Sequence, residues 1–512
     1  MDTSTGQSTG QSTGHRVRVL VIGAGFGGIG AAVALLRDGV DDVLVVEAGD
    51  DVGGVWAANT YPGCASDVPA PLYCYSFAPN PHWSGRFPPQ PEIQRYLRDV
   101  VDRFGVRPVL RLGTRVTAAR WREDSRTWLV EFDGRDGPAP VVADVLVSAV
   151  GQLSRPHVPV LPGIERFAGP VWHSARWRHD VRLEGRRVAV VGTGASAVQF
   201  VPELAPLTAH LTVVQRSAPW TLPRPERRYG RVLQGLARRR TGSLRLRRGL
   251  TYAMTAWAGQ AVLGRAVPLA SLRAASALQR RVQVRDAALR ARVTPVSRLG
   301  CRRVLFTSAW LPALTRPDVT LVTDPVLDIV PDAIRTVAPD GAITRHPCDA
   351  IVYGTGFTAT SFLAPIRVTG RAGADLHAVW EPGARAYLGM AVPGFPNLFL
   401  VYGPNTNTGH TSVVLFHEAQ ARYLVQAVRH LRRHPGAALE VRPEVDDRYD
   451  AELQERLAAS VWTTCTSWYR TATGRVVTNW PGTAARYRRR TRRFDPADYL
   501  PEDPVSAPER PA

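Results

Sequence analysis

The sequence predicts an α/β protein of two Rossmann-like dinucleotide-binding domains, the second inserted in the first and extended by a helical excursion. Three observations support this prediction. A strand, glycine-turn, helix pattern occurs twice; an acid follows the first turn where a base follows the second; and an Asp-strand-Gly segment is itself duplicated. At about 100–200 residues per domain, 512 residues allow two to four domains with sizeable cores.

The first pattern starts at Val17 to Ile22, apolar apart from Arg18, and runs into Gly23-Ala24-Gly25-Phe26-Gly27-Gly28 and a helical stretch ending near Arg37. Gly23 permits the tight turn, Gly25 lets the backbone approach a pyrophosphate, and Gly28 lets the helix close on the strand. The helix N-terminus then receives the phosphates. A second strand, Asp42 to Val46, leads to Glu47, an acid placed to accept hydrogen bonds from ribose hydroxyls.

The second pattern is the strand Arg187 to Val191, the turn Gly192-Thr193-Gly194-Ala195-Ser196-Ala197 and the strand Leu211 to Gln215. Glu47 and Arg216 each stand 24 positions after the first glycine of their turn. A carboxylate repels a 2′-phosphate and a guanidinium binds it, so the first site prefers FAD or NAD and the second NADP, with Ser217 beside Arg216.

Asp144 to Gly151 and Asp349 to Gly356 share an Asp, an apolar strand and a glycine seven positions on. Such strands return the chain to a dinucleotide site. Residues 15–155 are assigned to the first part of the FAD domain, 156–340 to the NADP domain with a helical insertion over 225–300, and 341–495 to the second part of the FAD domain. After Gly356 the chain is expected to rejoin the first domain. Residues 1–14 read as a disordered tail unlike a secretory signal, and 496–512 as a Pro-rich tail.

Hydrophobic residues at 45% and charged residues at 21% are near the globular average, which excludes a collagen, a wholly disordered chain and a polytopic membrane protein. The net charge of +20 comes from 64 basic against 44 acidic residues, and every base other than histidine is arginine. No helix-turn-helix, RNA-recognition or zinc spacing accompanies that charge, so no nucleic-acid partner is assigned. Arg224 to Arg248 holds ten arginines against one acid, Glu226, and Gly249 to Gly264 follows with 16 uncharged residues. That run is shorter than the roughly 20 residues a bilayer span needs, and the 224–264 region is read as a solvated helical face or a peripheral membrane contact. The five cysteines include no CxxC pair, and their odd number argues against a complete disulfide framework. The expected compartment is the cytoplasm.

Between the two glycine turns, Phe167, Gly169, His173 and Trp177 stand in the order FxGxxxHxxxW. This resembles the fingerprint of the flavin-dependent Baeyer–Villiger monooxygenases, neighbours of the flavin-containing monooxygenases that oxidise nitrogen and sulfur. The family follows the tryptophan with Pro or Asp, and this chain has Arg178. The resemblance implies that His173 is an interdomain and cofactor-linked residue, with a structural histidine as the alternative, and no proton transfer is assigned to it.

Gly53-Gly54-Val55-Trp56 through Tyr61-Pro62-Gly63 to Asp67 is similar to the family's GGxW…YPGxxxD stretch. The resemblance places Val55 and Trp56 against the flavin, with Asp67 and Tyr73 beside it. Asp67 is the only acid between Asp51 and Glu92, in a segment of aromatics and prolines, and such an acid needs a basic partner. The partner implied is Arg303 in Gly300-Cys301-Arg302-Arg303, similar to the family's G-x-K/R-R segment. There Arg302 would help hold the NADP 2′-phosphate, while Arg303 would stabilise negative charge on the oxygenated flavin and on the substrate oxygen. Asp67 would orient and tune Arg303.

The resemblance covers about residues 17 to 495, through Gly354-Thr-Gly-Phe357, Tyr402-Gly-Pro-Asn405 and Thr478-Asn479-Trp480-Pro481-Gly482. It implies an enzyme that uses FAD, NADPH and O2 to convert a ketone to an ester or lactone, with oxygenation of an amine or sulfide as the alternative. The cofactors would supply the hard chemistry, so no metal-ligand cluster or Ser-His-Asp set is needed. Trp480 could be a lid over the site or a packed aromatic.

Overall fold

The computed structural model describes residues 15–134, 139–226, 228–230, 241–465 and 467–501. The proposed tail 1–14, most of the tail 496–512 and part of the arginine run from 224 to 248 lie outside the described residues.

The first unit is built on the strand Arg16–Ile22, which lies between Val43–Val46 and Val141–Ser148, parallel to both. From Val19 to Ile22 every residue is buried, which is why the run reads as continuously apolar: a parallel strand covered on both faces has no solvent side. The helix Phe26–Arg37 follows, with Gly27, Gly28, Gly30, Ala31 and Ala32 all buried. These small residues let it lie close to the sheet beneath and to the helix Val414–Arg433 above. An antiparallel hairpin, Thr114–Arg122 with Thr127–Gly134, extends the sheet.

Two late strands complete this sheet. Leu398–Leu400 pairs in parallel with Val141–Ser148, and Arg367–Thr369 pairs with Thr114–Arg122. The chain therefore leaves the first unit, forms a second, and returns. The second unit is a five-stranded parallel sheet ordered Val319–Val322, His210–Val214, Arg187–Val191, Ala350–Tyr353, Val171–His173. Its member Ala350–Tyr353 lies beyond residue 340, where the sequence divides the units.

The duplicated aspartates have one job in both units. Asp144 pairs with Arg16 at 2.8 Å, and Asp349 accepts from the Arg187 backbone N–H at 2.8 Å. Each ties the returning strand, Asp144 from within it and Asp349 from just before it, to the first residue of the strand that carries the glycine turn. Among the described residues of 225–300 the chain forms three helices, Thr241–Gly259, Ala266–Gln283 and Ala287–Arg292, joined by non-helical stretches. Of the C-terminal segment, residues 496–501 are anchored at Tyr499, which is buried with its hydroxyl 3.0 Å from that of Tyr423, and at Leu500, whose N–H donates to Glu440 O.

Candidate active site at the junction of the two units

Both glycine turns sit at the carboxyl edge of their sheets, where open parallel sheets receive ligands. Gly23 and Gly192 take φ of +102° and +103°, a region suited to glycine. A Cβ there would stand 2.6 Å from Ala149 O and 2.7 Å from Gly354 O respectively, so each returning strand walls its own turn. A Cβ on Gly28 would fall 1.8 Å from Gly23 O, and one on Gly194 would lie 3.1 Å from Gly354 O. Gly25 faces Gly54, and Gly53 N–H donates to Ala24 O at 2.8 Å, which holds the Val55–Trp56 stretch against the first turn.

Glu47 leaves its strand to accept from Ala24 N–H at 2.8 Å and Gly49 N–H at 2.9 Å. At the matching place in the second unit Arg216 is exposed. The Thr193 hydroxyl donates to Ser217 O at 3.1 Å, and Arg302 donates to the Ser217 hydroxyl. Burial and the nearby charge of Arg216 lower the pKa of Arg302. Two guanidinium groups close enough to repel, one of them donating to the Ser217 hydroxyl, form a donor set that a phosphate dianion would relieve. Ser196 stands at the cap position of the helix Ala197–Leu204.

Asp67 and Arg303 meet as a bidentate pair, Nε to Oδ2 and Nη2 to Oδ1, both at 2.6 Å. Their side chains keep 22% and 32% of their surface, so the pair is sheltered but reachable. Burial alone would raise the Asp67 carboxyl; the charge and hydrogen bonds of Arg303, with Arg224 adding, hold it below the usual carboxylate range. The charge of Asp67 in turn raises the pKa of Arg303 and outweighs its desolvation. Tyr73 accepts from the Trp56 indole N–H at 3.0 Å, and the two rings meet edge-on at 5.5 Å. The structure thus brings Trp56, Tyr73, Asp67 and Arg303 together, from segments separated by more than two hundred positions.

Several residues at this junction were assigned no role from the sequence: Tyr402 and Asn479 lie in stretches that carry the family resemblance, while Gln199, Asn407 and Tyr469 lie outside them. Tyr402 and Tyr469 are near enough to act electrostatically on Arg303, and burial raises both phenols. The Tyr402 hydroxyl donates to Asn407 Oδ1 at 2.9 Å, and Asn407 Nδ2 donates to Asn479 Oδ1 at 3.0 Å. Gln199 spans the units: it accepts from the Tyr61 hydroxyl at 3.0 Å and donates to Ala65 O at 3.0 Å. Gly63, with φ +74°, fits beneath it; a Cβ there would lie 2.8 Å from Gln199 O. Only the glycine in Tyr61-Pro62-Gly63 could have hinted at that approach. Cys301 and Cys465 form a disulfide that ties the Arg302–Arg303 segment to the stretch leading to Tyr469, while Cys64, Cys74 and Cys348 stay free and buried.

The fingerprint residues pack within the second unit and against the turn that follows its strand Ala350–Tyr353. A Cβ on Gly169 would stand 2.3 Å from Asp349 O, and Trp177 packs on Trp172 and Phe200. His173 is buried, accepts from Ala175 N–H at 3.1 Å through Nδ1, and meets the Phe357 ring edge-on at 5.6 Å; burial lowers its pKa. Arg178 makes a surface pair with Asp180. Trp480 is buried, donates to Thr483 O at 3.3 Å and packs edge-on against Tyr487, so in this structure it is a packed aromatic.

Residues 16–272 match the model of the flavin-binding monooxygenase-like family. A Baeyer–Villiger monooxygenase of Streptomyces coelicolor is 43% identical over 496 residues, covering 96% of this chain and 94% of that protein. Among solved structures, an oxidized steroid monooxygenase bound to NADP superposes with a TM-score of 0.82 at 31% identity, covering 93% of this chain and 97% of that one. OTEMO in complex with FAD and NADP gives a TM-score of 0.82 at 26% identity, covering 93% and 97%. With the two glycine turns, the fingerprint and near full-length likeness in agreement, the chain belongs to the flavin-dependent Baeyer–Villiger monooxygenase family, within the flavin-binding monooxygenase-like proteins.

Proposed function

We propose that this protein is an FAD- and NADPH-dependent Baeyer–Villiger monooxygenase. A ketone, O2, NADPH and a proton would give an ester or lactone, NADP⁺ and water, with one oxygen atom inserted beside the carbonyl and the other leaving as water. The observation that bears most weight is the Asp67–Arg303 pair beside Trp56 and Tyr73.

The residues present suit both cofactors. The first unit, 15–155 with the later part of 341–495, would hold FAD: Gly23, Gly25 and Gly28 would admit the pyrophosphate, Glu47 would accept from the ribose, and Val55, Trp56, Asp67 and Tyr73 would hold the flavin. The second, 156–340 with the strand Ala350–Tyr353, would hold NADPH through Gly192, Thr193, Gly194 and Ser196, with Arg216, Ser217 and Arg302 on the 2′-phosphate. FAD, when bound, supplies the redox chemistry between NADPH and O2.

The chain's own part is positioning and charge. Asp67 fixes the plane of Arg303 through two hydrogen bonds, leaving its remaining N–H groups to stabilise negative charge on oxygen. Arg303 stays cationic throughout, since Asp67 raises its pKa further. It acts as an electrostatic donor and moves no proton. Tyr402 and Tyr469 help enclose it and limit water.

The partners in this reading are a small-molecule ketone and O2, with no nucleic acid and with peripheral membrane contact through the 224–264 region. Among the described residues no helix is long and apolar enough to cross a membrane. A cytoplasmic location is part of the same proposal. The test is mass spectrometry of products from purified protein given NADPH, heavy-isotope oxygen and a panel of ketones, amines and sulfides. A ketone that gains one labelled oxygen as an ester or lactone supports the proposal; labelled N- or S-oxides alone would move the enzyme to heteroatom oxygenation.

A further inference from the structure

From position 227 to position 285 the chain holds fourteen arginines and no acid. The helices Thr241–Gly259 and Ala266–Gln283 lie in this stretch. The first is held from one side: the Tyr252 hydroxyl accepts from Ala485 N–H at 3.0 Å, the Thr255 and Thr411 hydroxyls are 3.3 Å apart, and the Gly259 backbone meets the His410 ring.

On its other side Leu246, Leu250, Met254 and Trp257 recur at i, i+4, i+8 and i+11, one stripe of an α-helix. Val267, Leu278 and Val282 share a face of the second helix. All seven are between 46% and 71% exposed, and they make up nearly half of the large exposed hydrophobics among the described residues. Arg245, Arg265, Arg273, Arg281 and Arg285 are exposed in and beside the same helices. Apolar residues scattered singly on a surface need no explanation, but stripes set among cations do.

We propose that these faces are a docking surface for an anionic lipid bilayer, with the helices lying in the headgroup plane. The inference rests on the reading of 224–264 as a peripheral membrane contact and gives it a surface, a lipid charge and named anchors. A soluble polyanion would use the arginines and gain nothing from exposed Leu, Met and Trp. A second copy would bring two cationic faces together. An anionic bilayer satisfies both features at once, because acyl chains take the apolar stripe and headgroups take the guanidinium groups. Docking there would place the bilayer near the segment that bears Arg302 and Arg303, since a Cβ on Gly300 would lie 3.1 Å from the Val262 side chain just beyond the first helix.

The test is flotation of the full-length holoenzyme with vesicles of phosphatidylcholine alone and of phosphatidylcholine with about one third phosphatidylglycerol, at low and physiological salt. The expected result is binding to the anionic vesicles, weakened by salt and reduced roughly tenfold in the Leu250→Glu/Trp257→Glu double variant. Turnover of a short water-soluble ketone and the melting temperature should stay unchanged in that variant. Leu250→Ser/Trp257→Ser serves if the glutamates impair folding. Equal binding to neutral vesicles overturns the anionic-lipid proposal and leaves peripheral contact standing. Binding to neither overturns both. A dimer that the variant dissolves, or RNA binding with no vesicle binding, assigns the surface to another occupant and likewise overturns the proposal.

Discussion

Asp67 and Arg303 are 236 positions apart in the chain and meet through two parallel 2.6 Å hydrogen bonds. A bidentate pair fixes the guanidinium plane as well as its position, which a single contact would not do. If Arg303 acts on negative charge at oxygen, Arg303→Ala should leave flavin reduction by NADPH largely intact and lower ester formation by about 10² to 10³, the usual cost of removing one such donor. Stopped-flow reduction and product assay separate the two steps; ester formed at the original rate would falsify the assigned role.

The same pair makes stability depend on acid. Burial opposes ionisation of Asp67, yet the Arg303 charge wins and holds the folded carboxyl below its ordinary value. A lowered folded pKa contributes stability that is fully present above about pH 4 and is lost as pH falls through the folded value. Asp67→Asn should therefore be less stable than wild type near neutrality, and the gap should narrow as pH drops below about 4. Urea unfolding at several pH values measures it; a gap independent of pH would mean that the carboxylate charge is not what matters.

Arg302 donates to the Ser217 hydroxyl, and Arg216, the residue before Ser217, is near enough to act on the charge of Arg302. Replacing Arg216 with Ala should raise the KM for NADPH by roughly 10- to 100-fold, the loss of one charge-assisted contact at about 1.5–3 kcal/mol, while changing the KM for NADH little. Steady-state kinetics with both coenzymes decide, and equal effects on the two would remove the 2′-phosphate assignment.

The seam between the units depends on Gln199 above Gly63. Gln199→Ala would leave the Tyr61 hydroxyl and the Ala65 carbonyl without these partners, at a cost of about 1–3 kcal/mol. Gly63→Ala should cost at least as much, because its methyl group meets the Gln199 carbonyl and its backbone is left-handed. Thermal unfolding with bound FAD monitored tests both; wild-type melting in both variants would show that the seam bears no load.

Gly28→Ala is the sharpest steric case, with its Cβ 1.8 Å from Gly23 O. The expected product is a protein purified without flavin, read from the loss of its visible absorbance; a variant that keeps full FAD content would show that the first turn is not the pyrophosphate site.

Much of the architecture was legible because its signals are local. A glycine turn, the strand before it and the charged residue 24 positions on all lie within one strand-helix-strand unit, so spacing alone conveys their geometry. The duplicated Asp-to-Gly segments announced that each unit closes on itself, and the pairing of Asp144 with Arg16 and of Asp349 with Arg187 gives the reason. The strand Ala350–Tyr353 belongs with Arg187–Val191 although it lies past residue 340, because its partner is set by sheet pairing, which composition does not report.

What the sequence by itself determined is the pair of Rossmann-like units, their opposite charge at equivalent positions and the order in which the chain visits them, all consequences of short-range backbone geometry. Tertiary structure alone decided that Tyr402 and Tyr469 flank Arg303, that Gln199 bridges the units and that Cys301 bonds Cys465. It also decided that Trp480 is packed and that the apolar stripe from Leu246 to Trp257 faces outward. The contacts of Arg303, Gln199 and Cys301 join segments far apart in the chain, and no periodicity encodes them, because they arise only when the units come together and the remaining side chains find partners across the gap.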